Sequence, residues 1–295
     1  QLASCRCITG LYELPCFHLQ TRVAFTNTAP VVPYRGAGKP EFTYFIECLV
    51  DAAARETGRD RVELRRRNLI RSVPYTTAAG LAFDSGEFEK NLDDALQLTD
   101  RAGFEARRAA SASRGKLRGY GLSVYQEPDG YYDSHVQLAF DAQGHLTVAT
   151  SAQSNGQGHV TTFMQVVSQQ LGVDASLIRV LQGDSDHTGV AAGTGGSRET
   201  TVTGTAIVHA ARILIEKGRP IAAHLLEAPA SDIVFEVGDK GGAFVIAGTD
   251  RRVSIVEVAR GAHAADLPPG IEPGLEASDH YRPTVYSLPS GCHVC

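Results

Sequence analysis

The period of the hydrophobic positions changes near residue 113, and that change divides the chain. From Pro40, the segment PEFTYFIECLVDAAARETG places Phe42, Phe45, Ile46, Leu49 and Ala53 on one face of a 3.6-residue helix. Pro40 suits the first turn, Glu41 and Glu47 sit early, and Gly58 follows as a C-cap. The basic stretch ELRRRNLI continues the helical pattern. Its Arg65, Arg66 and Arg67 read most simply as a solvated face, although arginine also enters buried ion pairs. Residues 71–86 are loop-like, and one helix is expected over 87–109 with Phe88, Leu92, Ala95, Leu96 and Phe104 turned inward. After the small, polar stretch ASASRGKLRG the period becomes two. YGLSVYQEP, SHVQLAFD and HLTVATS alternate as strands, with a hairpin turn at Gly144. A helix GHVTTFMQVVSQQLG follows, with Val160, Phe163, Met164, Val167 and Leu171 inward, then an apolar strand SLIRVLQGD. The helix TTVTGTAIVHAARILIEKG is expected to stop at Gly218. Residues 232–282 predict more strands, a short helix near 254–262 and a loop LPPGIEPG, while residues 1–35 read as loop and extended chain. This mixture defines an α/β (mixed α+β) fold with extensive sheet.

The 295 residues are 43% hydrophobic and 21% charged, enough for two ordinary domains or one large one with a sizeable core. A net charge of −5, with no basic stripe interleaved with aromatics, argues against nucleic acid as a partner. No uncharged apolar run approaches the ~20 residues of a membrane span. The N-terminus lacks the apolar core of a signal peptide, so a cytoplasmic location is expected. It also lacks a starting Met, which suggests that it begins inside a longer chain. The six cysteines (Cys5, Cys7, Cys16, Cys48, Cys292 and Cys295) are too sparse for a disulfide scaffold and read as reduced thiols. Cys5/Cys7 and Cys292/Cys295 would make a four-thiolate zinc site only if the two ends met.

Three glycine-rich segments carry the candidate chemistry: Tyr34-Arg35-Gly36-Ala37-Gly38, Asn155-Gly156-Gln157-Gly158-His159 and Gly193-Thr194-Gly195-Gly196-Ser197-Arg198. The last two open predicted helices, where unpaired N–H groups and the helix dipole attract anions and glycine lets a phosphate approach closely. Gln157 adds an amide, Ser197 a hydroxyl and Arg198 a planar cationic fork. Each segment alone is more simply explained by turn chemistry. None is a P-loop or a dinucleotide fingerprint, and no nucleophile elbow, H-E-x-x-H motif or spaced His/Cys ligand set is present. Asp184 and Asp186 beside His187 fit loop turns at least as well as a metal, and His159 reads as capping or packing before catalysis. The residues by themselves imply a binder of a phosphate-bearing ligand.

Taken together, the segments resemble the molybdopterin-binding large subunit of the xanthine oxidase, aldehyde oxidoreductase and aerobic carbon-monoxide dehydrogenase family. VAFTNTAPVVPYRGAGKPEFTYFIECLVDAAARETGRDRVELRRRNLI looks like the end of its first molybdopterin-binding region. SAQSNGQGHVTTFMQVVSQQLGVDASLIRVLQGDSDHTGVAAGTGGSRETTVTG looks like the core of its second. The expected division is 1–112 for the C-terminal part of the first region and 113–295 for the N-terminal part of the second. The resemblance implies molybdenum held by the dithiolene of a molybdopterin, in the cytosine dinucleotide form usual in bacteria, and by no protein side chain. By motif match, Gln157, Gly158, His159 and Thr161 line the cofactor, and Gly196, Ser197, Arg198 and Thr200 bind its pyrophosphate. Arg35 and Gly36 lie near the metal and Ala37 faces the substrate. It also implies iron–sulfur and FAD groups on partner subunits, contact with the remaining large-subunit segments, and a small-molecule substrate hydroxylated with oxygen from water.

Position 36 discriminates within the family. Carbon-monoxide-oxidising members carry a cysteine there, in a Tyr-Arg-Cys-Ser-Phe-Arg setting, whereas this chain reads Tyr-Arg-Gly-Ala-Gly-Lys. Ala37 stands where xanthine-type enzymes have a bulky aromatic. The resemblance thus points to an aldehyde or N-heterocycle. The family's general-base glutamate belongs to a Gly-Val-Gly-Glu segment that these 295 residues do not contain. Two other expectations therefore stand beside the enzyme: a non-catalytic remnant, and an unrelated phosphate-ligand module.

Overall fold

The computed structural model describes residues 2–30, 32–188, 193–264 and 267–295. A 3₁₀ turn, Leu2–Cys7, precedes extended chain, and then come α1 (Lys39–Thr57) and α2 (Arg61–Asn68). Two short strands follow, β1 (Tyr75–Thr76) and β2 (Ala82–Phe83), then α3 (Phe88–Leu98), α4 (Phe104–Ala112) and β3 (Leu122–Gln126). The chain continues through β4 (Ser134–Phe140), β5 (Leu146–Thr150), α5 (His159–Leu171) and β6 (Ile178–Gln182). A π-helical turn, Glu199–Thr203, runs directly into α6 (Gly204–Leu226). The order ends with β7 (Ile233–Gly238), β8 (Gly241–Ile246), β9 (Arg252–Ser254), α7 (Ile255–Gly261), β10 (Leu275–Tyr281) and β11 (Ser290–Val294).

The chain forms two compact units, one of residues 1–128 with 288–295 and one of residues 129–287. In the first unit, β11 returns to pair antiparallel with β3, Cys292 opposite Val124. Its core joins Leu11, Tyr12, Ile46, Val62, Leu69, Phe83, Leu92 and Val124. Asp60 caps α2 by accepting from the Val62 and Glu63 N–H groups. Arg65 is not on a solvated face. It is fully buried, and its Nε donates to Glu47 Oε2 at 2.9 Å. The expected helix over 87–109 is two helices. Asp100 adopts a left-handed conformation (φ 47°) and its carboxylate accepts from Gly103 N–H, which breaks the run between α3 and α4.

In the second unit a four-stranded sheet has the order β10, β4, β5, β6. The first two pairings are antiparallel, and β5 pairs parallel with β6 through the crossover helix α5. Alternate residues of β4 (Ser134, Val136, Leu138, Phe140) are buried, as the period of two predicts. They pack with Phe163, Val167 and Leu171 of α5 and with Ile207, Ala210, Ala211 and Leu214 of α6. Val160, expected inward on α5, is 37% exposed because it lies off the buried stripe of His159, Phe163, Val167 and Leu171. α6 does not stop at Gly218. It passes through Pro220 to Leu226 and ends on a left-handed Glu227. Gly218 serves packing instead: a Cβ there would lie 2.8 Å from Phe244 Cζ. A separate antiparallel sheet, β7-β8-β9, and the capping-boxed helix α7 complete the unit.

Candidate functional site

The β5–α5–β6 unit sets the position of the glycine-rich loops of the second unit. In a parallel pair both strands end on the same side, and ligands of α/β folds bind outside those carboxyl ends. Residues 151–158 leave the end of β5, and the segment from Gly183 leaves the end of β6. The close approach of the two is built in, since a Cβ at Gly183 (φ 65°) would lie 2.6 Å from Gln153 Nε2. Thr194 then ties the loops together. Its Oγ1 accepts from Gln153 N–H at 2.8 Å and donates to Gln153 O at 2.6 Å. Gly189 to Ala192, within the quoted motif, lie outside the described residues.

Both loops feed helix starts that no side chain caps. Gly158 is the N-cap of α5 and Arg198 that of the π-helical turn, and neither makes a side-chain capping bond. The first N–H groups of such helices have no partner within the helix and suit an anion. Gly156 (φ 99°) and Gly158 (φ 80°) supply left-handed backbone. A Cβ at Gly156, Gly158, Gly193 or Gly195 would meet no heavy atom within 4 Å, so open space faces the loops. Gln157, Gly158, Thr161, Gly196, Ser197 and Thr200 are all exposed to it. The Gln157 carboxamide oxygen accepts from Asn155 N–H and closes its own loop. Ser197 holds a left-handed φ of 52°.

Two of the expected binders are turned inward. His159 is buried and stacks on Phe163 with centroids 5.3 Å apart, while its Nδ1 has no hydrogen-bond partner. Arg198 is fully buried. Its guanidinium donates to the carbonyls of Asp133 and Gly193 and pairs with Glu199 at 3.0 Å. Glu199 Oε2 accepts from Thr203 Oγ1 at 2.6 Å, and Thr203 bonds Ser134 at 2.8 Å, which fastens the π-helical turn to β4. The fork that the sequence aims at a phosphate is occupied by protein acceptors. The outward polar groups of this loop are N–H groups and hydroxyls. The Gln153–Thr194 clasp and the Glu199–Thr203–Ser134 chain were not singled out by sequence, although Thr194 stands inside the third glycine segment and Gln153 two residues before the second.

In the first unit, Gly36 (φ 89°), Ala37 (φ 46°) and Gly38 (φ 95°) are three consecutive left-handed residues. A Cβ at Gly36 would lie 2.6 Å from Pro40 Cδ and Cγ. Ser4 Oγ donates to Ala37 O at 2.6 Å, and the buried Lys39 ammonium donates to Glu127 Oε1 and Pro128 O, both at 2.6 Å. Arg35 and Ala37 are exposed on this braced turn. Asp184, Asp186 and His187 form a local turn, with Asp186 N–H donating to Asp184 Oδ1 at 3.0 Å. Among the described residues no group of three or more His, Cys, Asp or Glu could hold a metal ion, and no helix is long and apolar enough to cross a membrane.

Comparison with known proteins gives this geometry its class. Two molybdopterin cofactor-binding domain families match, one over residues 95–295 and the other over residues 2–69. The chain belongs to the molybdopterin cofactor-binding family of molybdenum hydroxylase large subunits. It is 33% identical to a carbon monoxide dehydrogenase large chain of Hydrogenophaga pseudoflava, over 97% of this chain and 38% of that one. It is likewise 33% identical to a nicotine 6-hydroxylase large subunit of Paenarthrobacter nicotinovorans, over 97% of this chain and 36% of the relative. The crystal structure of quinoline 2-oxidoreductase from Pseudomonas putida 86 superposes with a TM-score of 0.85 at 31% identity, covering 99% of this chain and 39% of that chain. The chain thus spans well under half the length of these relatives.

Proposed function

We propose that this chain is the cofactor-holding part of a molybdenum hydroxylase that oxidises an aldehyde or an N-heterocycle. The paired, uncapped helix starts at the carboxyl ends of β5 and β6, clasped by Gln153 and Thr194, carry the reading. Gln157, Gly158, Thr161, Gly196, Ser197 and Thr200 would hold the cofactor through amide, backbone N–H and hydroxyl donors. His159 would back this loop from beneath, and Arg198 would fix the loop that presents its neighbours. The preferred form is the cytosine dinucleotide, whose extra phosphate suits two separate helix starts. Arg35, Gly36 and Ala37 would face the metal end and the substrate. When bound, the cofactor supplies two-electron oxidation of a C–H bond with oxygen that originates from water. The residues of this chain bind and orient it. Proton abstraction would fall to the glutamate of the remaining large-subunit segments, and electrons would leave through iron–sulfur and FAD partner subunits in the cytoplasm. The half-regions 1–112 and 113–295 would be parts of the two cofactor-binding regions.

Gly36 supports the substrate class. A cysteine there would need its Cβ 2.6 Å from Pro40 carbons and a left-handed backbone, so a copper-binding thiolate is disfavoured and with it carbon monoxide. The direct test is molybdenum and acid-released cytosine nucleotide in the chain purified from a cofactor-competent host. About one of each per chain is expected, with both lost in Gly158→Val while circular dichroism stays unchanged. A folded chain carrying neither would refute the claim that these loops hold the cofactor.

A further inference from the structure

Four arginines of the first unit surround a hollow that the reading above does not use. Arg61 opens α2, Arg101 lies in the turn between α3 and α4, Arg108 sits on α4, and Arg118 precedes β3. The hollow measures about 310 Å³, and Glu105 is the carboxylate among its lining residues. Its floor is aromatic, with the Phe104 and Tyr120 rings 5.2 Å apart.

Arg101 is the informative residue. Its guanidinium carbon lies 4.9 Å from the Tyr120 ring centroid and 5.6 Å from that of Phe104. Those ring faces fix the cation without using its N–H donors. The Asp60 carboxylate is 4.0 Å away, beyond hydrogen-bond reach, and the buried Nε has no hydrogen-bond partner. Arg61 and Arg118 are held from behind. Arg61 Nη1 donates to Tyr120 O at 2.8 Å and Arg118 Nε to Ser111 Oγ at 3.0 Å. Planar guanidinium forks of this kind match phosphate and carboxylate oxygens in pairs.

We infer that this hollow binds a small phosphate-bearing anion, held by Arg101, Arg118 and Arg61. The site is independent of the cofactor loops, so either assignment can fail alone. The test is calorimetric titration of the full chain with inorganic phosphate and, separately, with adenosine 5′-monophosphate at low salt. The glycine loops of the second unit also suit phosphate, so two variants separate the sites. Arg101→Gln/Arg118→Gln should weaken one saturable phosphate event by about tenfold or more, and Gly158→Val should leave that event in place. The event should also weaken with added salt, as an exposed ionic contact does. If the double variant melts early, Arg118→Gln alone, at an exposed side chain, serves with a smaller loss of about threefold. Equal affinity for the two probes assigns recognition to the phosphoryl group, whereas binding of the nucleotide without binding of inorganic phosphate overturns it. Absence of a saturable event in the wild-type chain, or an event unmoved by Arg118→Gln in a folded variant, overturns the assignment.

Discussion

Arg65→Met is the sharpest test of how the first unit is held together. Arg65 is fully buried. Its Nε donates to Glu47 Oε2 at 2.9 Å, and its terminal nitrogens donate to Arg61 O at 3.1 Å and Leu122 O at 3.2 Å. Glu47 Oε1 accepts from Tyr12 at 2.5 Å, and Oε2 also accepts from Val124 N–H at 3.1 Å. The network therefore joins the segment after the N-terminal turn, both helices and β3. Methionine fills much of the volume but leaves a buried carboxylate without its cation. Removing one partner of such a pair costs about 3–5 kcal/mol. With a urea m-value of about 2 kcal/mol/M, the midpoint should fall by about 1.5–2.5 M. The assay is a urea titration read by proteolysis of residues 1–128, which reports this unit separately.

The loss should depend on pH in a defined direction. Burial raises the Glu47 carboxyl above the ordinary range, and the Arg65 cation opposes that rise. A raised value in the folded state stabilises below the unfolded value, and this contribution is lost as pH rises through the folded value. Without Arg65 the folded value climbs further, so the variant recovers stability on acidification. The midpoint deficit should be larger near about pH 8 than near about pH 5. Glu47→Gln should show no such recovery, because its stranded partner is an arginine that stays charged. Glu47→Leu/Arg65→Met should regain only part of the loss, because Asp51 also loses its 2.8 Å partner and Tyr12 and Val124 N–H lose their acceptor. An equal deficit at both pH values, or none, would refute the reasoning.

Three further outcomes follow from local geometry. Gly218→Ala should lower the melting temperature of the second unit: helix propensity favours alanine by about 1 kcal/mol, but a Cβ 2.8 Å from Phe244 Cζ overpacks the core by about 1–3 kcal/mol. A rise in melting temperature would sink this. Ser254→Ala should cost about 1 kcal/mol, since Ser254 Oγ accepts from Glu257 N–H at 3.2 Å and Glu257 returns the bond in a capping box. Ser254 holds the Glu257 carboxyl below its ordinary value, so this contribution is present above the unfolded value and fades as pH falls through the folded one; denaturation at two acidic pH values checks it. Burial pushes the Cys292 thiol up to about 11, so iodoacetamide at neutral pH should label the exposed Cys16 and Cys48 well before it. Equal labelling rates by mass spectrometry would contradict the packing of β11.

What could be read in the sequence was whatever depends on near neighbours. The alternation of β4 and the apolar stripe of α5 are local patterns, and both appear in the fold. The β11–β3 pairing joins segments far apart in the chain, and no local pattern encodes it. Gly218 shows a subtler limit. Lack of a Cβ serves a helix stop and a close packing contact equally well, and only the position of Phe244 decides between them. The break at Asp100 has the same character, because an aspartate tolerates the left-handed region without announcing it.

The site divides along the same line. Glycine loops at strand–helix junctions are legible because their backbone demand belongs to the residue type. The direction of a charged side chain does not, and Arg198 finds its acceptor at Asp133 O, 65 positions away. On the proposed function, anion contact in the second unit would therefore rest on backbone N–H groups and hydroxyls, with Arg198 as internal bracing. Such a cradle responds weakly to changes of surface charge and strongly to any side chain added at Gly156 or Gly158, where a left-handed backbone faces open space. In the first unit the relation would be reversed. There Arg65 is internal bracing, whereas the hollow's Arg61, Arg101 and Arg108 have only loose carboxylate partners at 3.6–4.0 Å, so charge substitutions at the two places should separate loss of stability from loss of the proposed anion binding.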